Sequence, residues 1–213
     1  MTSNIIRVGY DIDGTLANFI KGWTDQASQI FPSIDQMLDD KELEEYDLHK
    51  KYGGKRANAV WQAIQRRSFF YETLSPFKEA VESTRKTINK ENVEPHYITA
   101  RQHGTIKNYF GQLNRHEEKR EKKRIRRHTT NWLGEYGLWG QVHMETDKAK
   151  KATDLALDFY IDNNSEHILD VQRKTSTRSY LLDKKYNRSA DVRERVESVK
   201  EFNEKVTTLA DKL

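Results

Sequence analysis

Asp11 and Asp13 stand two residues apart at the exit of a short apolar run, Ile5 to Tyr10, and are followed at once by Gly14, Thr15 and Leu16. The β-branched character of the run reads as a buried strand, and Asp11-Ile12-Asp13-Gly14-Thr15 reads as the turn leaving its end. Two carboxylates held that close repel one another unless a cation stands between them. In open α/β sheets the carboxyl edge of the strands is where ligands bind, and a hard, oxygen-loving cation such as Mg²⁺ suits the pair. Gly14 lets the chain turn without a Cβ, so that a substrate can approach the first carboxylate closely. A second apolar stretch, Tyr97-Ile98, ends in Thr99-Ala100-Arg101. A hydroxyl at a strand end, followed by backbone N–H groups, is suited to hold a phosphate oxygen.

The elements that must carry these residues follow from periodicity. Further strands are predicted at Gln141 to Met144, Asp158 to Ile161 and Ser179 to Leu182, with helical patterns between them, including Pro76 to Ile88 and Ala149 to Leu155. A closing helix is predicted from the capping pattern Ser198-Val199-Lys200-Glu201. Strands alternating with helices imply a doubly wound parallel sheet, here of five strands. Residues 17–74 interrupt this alternation: Phe19, Ile20, Trp23, Ala27 and Ile30, then Ala57, Val60, Trp61 and Ile64, recur at helical spacing. An insertion there builds a helical lid over the strand edge. The chain therefore divides into a core of residues 1–16 and 75–213 and a cap of 17–74. Most of the cap's aromatics are expected to form its own core.

Composition excludes some classes. No apolar run approaches the length of a membrane span, and residues 1–4 lead straight into the first strand with no signal-peptide core, so a cytoplasmic location is expected. There is no Cys, hence no disulfide framework and no thiolate zinc site. The net charge of +4 comes from one segment: residues 115–127 carry eight Lys or Arg against three Glu. Glu118 with Lys122, Glu117 with Arg120 and Glu121 with Arg124 are at helical pairing distance, so a solvated, ion-paired helix is favoured over a nucleic-acid footing.

At Asp11-Ile12-Asp13-Gly14-Thr15-Leu16 the chain resembles the haloacid dehalogenase-like (HAD) phosphohydrolases. The resemblance extends to Tyr97-Ile98-Thr99-Ala100-Arg101 as the second motif and to Lys148 and Asp162 as the third and fourth. It implies a Rossmann-like core with a small C1-type cap, Asp11 as nucleophile forming an aspartyl-phosphate, and Asp13 as general acid/base. It also implies Mg²⁺ held by Asp11, Asp13 and Asp162, with Thr99, Ala100, Arg101 and Lys148 on the phosphate. Lys150 and Lys151 lie close to Lys148, and only the phase of the helix distinguishes the three. Lys148 is preferred because Thr146-Asp147-Lys148 is similar to the Thr-x-Asp-Lys of one subgroup, the 5'(3')-deoxyribonucleotidases and their bacterial and phage relatives. Asp158, at the start of its strand, is expected ~13 Å from the edge where Asp162 lies, at about 3.3 Å per residue, and is left out of the site. Where the family often has a second acid after Asp162, this chain has Asn163, which can still orient a water.

The implied activity is hydrolysis of deoxynucleoside monophosphates, with Phe19 and Tyr46 of the cap contacting the base. The expected partner is thus a small nucleotide, with room left for a homodimer. Two alternatives stay open: a phosphatase acting on nucleic-acid 5' or 3' ends, with residues 115–127 on the phosphates, and a binding protein of the same fold without turnover.

Overall fold

The computed structural model describes residues 5–34, 43–45, 47–66, 69–101 and 115–213. Six parallel strands form one sheet in the order β3-β2-β1-β4-β5-β6: β1 (Ile6–Tyr10), β2 (Val93–Thr99), β3 (Gln141–Met144), β4 (Phe159–Asp162), β5 (Arg178–Leu182) and β6 (Arg195–Val196). The fold is α/β, as expected, but the sheet has one strand more than the five predicted. The extra strand is two residues long, too short to show a period, and exists only because Leu181 and Leu182 pair with Arg195 and Val196. β4 also starts one residue later than predicted, so Asp162 is its last residue.

Central strands of a parallel sheet are covered on both faces and read as nearly continuous apolar runs. β1 obeys this, with Ile6, Val8 and Tyr10 buried. On one face Tyr10 and Phe159 pack on Phe202 of the closing helix α8 (Val199–Ala210), beside α4 (Lys78–Ile88). On the other, Ile98, Leu157, Tyr160 and Leu181 pack with Ala149 and Ala152 of α6 (Lys148–Asp154) and Ile168 and Val171 of α7 (Ser165–Lys174). The strand order reverses between β1 and β4, so the crevice beyond their carboxyl ends is a topological switch point.

Between β1 and α4 the described chain forms α1 (Phe19–Ile30), α2 (Leu48–Tyr52), α3 (Gly54–Arg66) and a 3₁₀ turn over Phe70–Glu72. Aromatic pairs hold these together: Trp23 stacks on Tyr52 at 5.1 Å and Phe19 on Trp61 at 5.6 Å between ring centroids. The two connections to the core run side by side, with the Asn18 N–H donating to the Ser75 carbonyl and the Phe77 N–H to the Leu16 carbonyl, each at 2.8 Å. α5 (Arg115–Glu135) is anchored through Ile125, Trp132 and Leu133, and Trp132 donates its indole N–H to the Leu74 carbonyl at 2.8 Å. Among the described residues no helix is long and apolar enough to cross a membrane.

Candidate active site

Asp11 follows β1 directly and is tied to the neighbouring strand by its own N–H, which donates to the Ile161 carbonyl at 2.9 Å. Its carboxylate is buried beside that of Asp162, the last residue of β4. Gly14 takes φ +84°, and a Cβ there would fall 2.3 Å from Asn163 Nδ2, so the turn requires glycine on both counts.

Lys148 is brought in by its helix. Asp147 caps α6, its side chain accepting from the Lys150 N–H, and this aims Lys148 back toward the sheet. Its ammonium donates to Asp11 Oδ1 at 2.8 Å and to the Ile98 carbonyl, and lies 4.0 Å from Asp162 Oδ2. Lys150 and Lys151 instead face Asp154 at 3.7 and 3.6 Å. Of the three lysines only Lys148 reaches the carboxylates, and it is fully buried there.

The two carboxylates are unlike. Burial, the nearby Asp162 charge and, to a lesser degree, Asp13 push the Asp11 carboxyl up, against the pull of Lys148. Burial opposes ionisation of Asp162 as well, but His167, Lys148 and a hydrogen bond from Tyr160 outweigh it and hold Asp162 low. His167 Nδ1 is 2.9 Å from Asp162 Oδ2, and the Tyr160 hydroxyl donates to the same oxygen at 2.5 Å. The Asn164 N–H donates to Oδ1 at 2.8 Å. Asn164 also caps α7, accepting from the Glu166 and His167 N–H groups, which sets His167 beside the acid that precedes it by five residues. His167, Tyr160 and Asn164 were missed in the sequence reading. The one signal available was the Asn-Ser-Glu-His cap directly after Asp162-Asn163.

Asp13, Thr99, Ala100 and Arg101 line the same crevice. Thr99 is buried at the end of β2, 3.4 Å from the Arg101 N–H, and Ala100 is half-buried. Arg101 does not point its guanidinium outward: Nε and Nη2 donate to the two carboxylate oxygens of Asp13 at 2.8 and 2.7 Å. The Asn163 amide donates to the Tyr186 hydroxyl at 2.6 Å, and its Oδ1 accepts from the Thr15 hydroxyl at 3.4 Å. Asp158 is absent from the crevice, as expected; it accepts the Arg7 N–H at 2.8 Å at the start of its strand. Tyr46 lies outside the described residues. Phe19 lines the crevice but is 7% exposed, with Trp61 stacked on it; Trp61, which the sequence reading left to the cap's core, is half-buried and lines the crevice too.

The crevice has a volume of about 720 Å³, with Asp11, Asp13, Thr99 and Asp162 on its floor and Phe19 and Trp61 above. The donor set fits Mg²⁺: Asp11 and Asp162 are hard oxygen donors, and the raised Asp11 carboxyl marks an anion that its surroundings leave under-compensated.

The sequence from residue 4 to 212 matches the model of the family described as 5' nucleotidase, deoxy (pyrimidine), cytosolic type C protein. No curated protein matches the sequence significantly. Among solved structures, L-2-haloacid dehalogenase from Xanthobacter autotrophicus is similar with a TM-score of 0.55 at 11% identity, covering 96% of this chain and 99% of that one. The same enzyme with chloropropionic acid covalently bound gives 0.53 at 11% identity, with 95% and 98% covered. A defluorinating L-2-haloacid dehalogenase gives 0.54 at 8% identity, with 97% and 98% covered. At these identities the likeness shows a shared fold alone.

Proposed function

We propose a mechanism from one premise: the chain belongs to the 5' nucleotidase, deoxy (pyrimidine), cytosolic type C family, whose model spans residues 4–212. It is accordingly a phosphoric monoester hydrolase. The finer reading is hydrolysis of deoxynucleoside monophosphates through an aspartyl-phosphate on Asp11, and the observation that carries it is the buried Asp11 carboxylate, oriented by Lys148 at the floor of a crevice with aromatic side chains above.

Asp11 attacks phosphorus and the bond to the sugar oxygen breaks; Asp13 gives that oxygen its proton. Water then attacks the aspartyl-phosphate, Asp13 takes the proton back, and phosphate leaves with Asp11 restored. Thr99, the N–H of Ala100 and the Lys148 ammonium bind the equatorial oxygens, where charge develops. Lys148 also orients Asp11 through its 2.8 Å contact. Asp11, Asp162 and the backbone carbonyl of Asp13 would hold Mg²⁺, which when bound supplies charge neutralisation between the attacking carboxylate and the phosphate. His167 and Tyr160 keep Asp162 an anion aimed at that position.

Residues 17–74 act as the cap. It excludes water during phosphoryl transfer, and Trp61 with Phe19 offers the base a flat apolar surface. A lid of this kind leaves little room for a polymer beyond the sugar, which favours a mononucleotide over nucleic-acid ends.

The test is phosphate release with Mg²⁺ across nucleoside monophosphates, sugar phosphates and phosphorylated oligonucleotide ends. Turnover is expected on deoxynucleoside monophosphates and abolished by chelation. Faster turnover of oligonucleotide ends would overturn the substrate class.

A further inference from the structure

The Arg101 cation is held by three neighbours, and its contacts are not those of a phosphate-binding group. Its side chain is fully buried, and Nε and Nη2 form a two-pronged pair with Asp13, one donor to each oxygen, at 2.8 and 2.7 Å. Paired geometry of this kind fixes orientation as well as distance. Two other elements fix Arg101 in turn. Nη1 donates to Thr129 Oγ1 of α5 at 3.0 Å, and that hydroxyl's own hydrogen is directed to the Ile125 carbonyl at 2.9 Å, leaving a lone pair aimed at the arginine. The guanidinium carbon stands 4.7 Å from the ring centroid of Tyr71, at the foot of the cap, whose hydroxyl donates to the Arg101 carbonyl at 3.3 Å.

From this geometry we infer that Arg101 is a positioning residue for Asp13, holding the acid/base carboxylate at the leaving oxygen instead of binding the phosphate. The inference rests on the phosphatase reading above and deepens it. Each Asp13 oxygen accepts one N–H from Arg101 and keeps a second lone-pair direction, so the carboxyl can receive and hand on a proton while held. The proton Asp13 takes from water in the second step is the one it gives to the sugar oxygen in the next turnover. Without Arg101 the short Asp13 side chain regains its rotamers and the proton is no longer delivered in line with the breaking bond.

Leaving-group dependence separates the two roles. A sugar alkoxide needs a proton as it departs, whereas the p-nitrophenolate of p-nitrophenyl phosphate does not, and kcat/KM reports only steps through aspartyl-phosphate formation. The experiment compares kcat/KM of Arg101→Gln and wild type on a deoxynucleoside monophosphate and on p-nitrophenyl phosphate, with the inhibition constant of inorganic phosphate and Tm measured alongside. A general acid contributes about 10²–10⁴-fold, so the nucleotide value is expected to fall by about 10²-fold or more. The aryl phosphate value is expected within a few fold of wild type and phosphate inhibition unchanged. Thr129→Val, which removes the outer support, is expected to show the same selectivity at smaller size, and it carries the test if Arg101→Gln does not fold. Equal losses on both substrates, or weakened phosphate inhibition, would make Arg101 a phosphate ligand and overturn the assignment alone. A wild-type chain inert on both substrates would overturn the phosphatase reading and the assignment with it.

Discussion

Asp162 ends β4 and Asp158 stands just before its first residue, and they meet different partners: His167, Tyr160 and the Asn164 N–H for the first, the Arg7 N–H for the second. Asp162→Ala should therefore raise the Mg²⁺ concentration needed for half-maximal turnover by tenfold or more, the usual scale for losing one metal-holding group or its support. Asp158→Ala should leave that requirement unchanged and cost only the stability of one hydrogen bond, about 1 kcal/mol. Magnesium titrations of the two variants check this; the reverse ordering would move the metal site. At this scale the sequence was informative wherever a residue's place follows from its neighbours in the chain. Asp11, Asp13, Gly14 and Thr99 are of that kind, since a strand followed by a turn is a local pattern. It was silent where the partner is distant: Arg101 lies 88 positions from Asp13, and no spacing rule connects them. Lys148 was intermediate, because telling it from Lys150 and Lys151 needed the helix phase that the Asp147 cap sets.

At the scale of elements, the cap and the basic helix make separate claims. Phe19 and Trp61 stack on one another, so a base laid in the crevice would meet the pair and not Phe19 alone. Base stacking on an aromatic side chain is worth about 1–3 kcal/mol. Trp61→Ala should thus lower kcat/KM for a deoxynucleoside monophosphate by roughly 5- to 150-fold and spare a minimal aryl phosphate; equal losses would return Trp61 to the cap's packing. In α5 the Glu121–Arg124 pair forms as read from the sequence, while the side chains of Glu117 and Glu118 lie outside the described residues. Lys119, Lys123 and Arg127 face solvent, on the side of the helix away from Ile125 and Trp132. Replacing these three by Gln should change nucleotide hydrolysis by less than about twofold, as expected of screened surface charges. Oligonucleotide binding that falls steeply with salt and vanishes in this variant would show a nucleic-acid footing instead. Helices α1, α3, α4 and α8 were legible because their apolar faces repeat, whereas β6 was not, since two residues carry no period and its existence depends on β5.

At the scale of the whole molecule, the sheet's outer edge carries a pH liability. His96 and His143 lie on adjacent strands with Nδ1 and Nε2 3.3 Å apart. Burial lowers both; His96 together with Lys151 and Arg126 lowers His143 further, to about 4, while Glu94 and Arg7 act on His96 in opposite directions. A histidine whose folded pKa is depressed contributes stability that is present above its unfolded value of about 6.5 and is lost as pH falls toward the folded value. The urea midpoint should accordingly drop between pH 6.5 and 4, and His143→Gln should flatten that drop; an unchanged slope in the variant would remove the pair as its source. The sheet that sets this edge also sets the chemistry, because the reversal between β1 and β4 is what brings Asp11 and Asp162 together at one crevice. Phosphoryl transfer to Asp11 is the central step, and acid quenching during turnover of a phosphate-labelled deoxynucleoside monophosphate detects it. Label is expected on the peptide that contains Asp11, with neither label nor phosphate release in Asp11→Asn despite an unchanged Tm. Phosphate release by Asp11→Asn near the wild-type rate, or label on another residue, would contradict it.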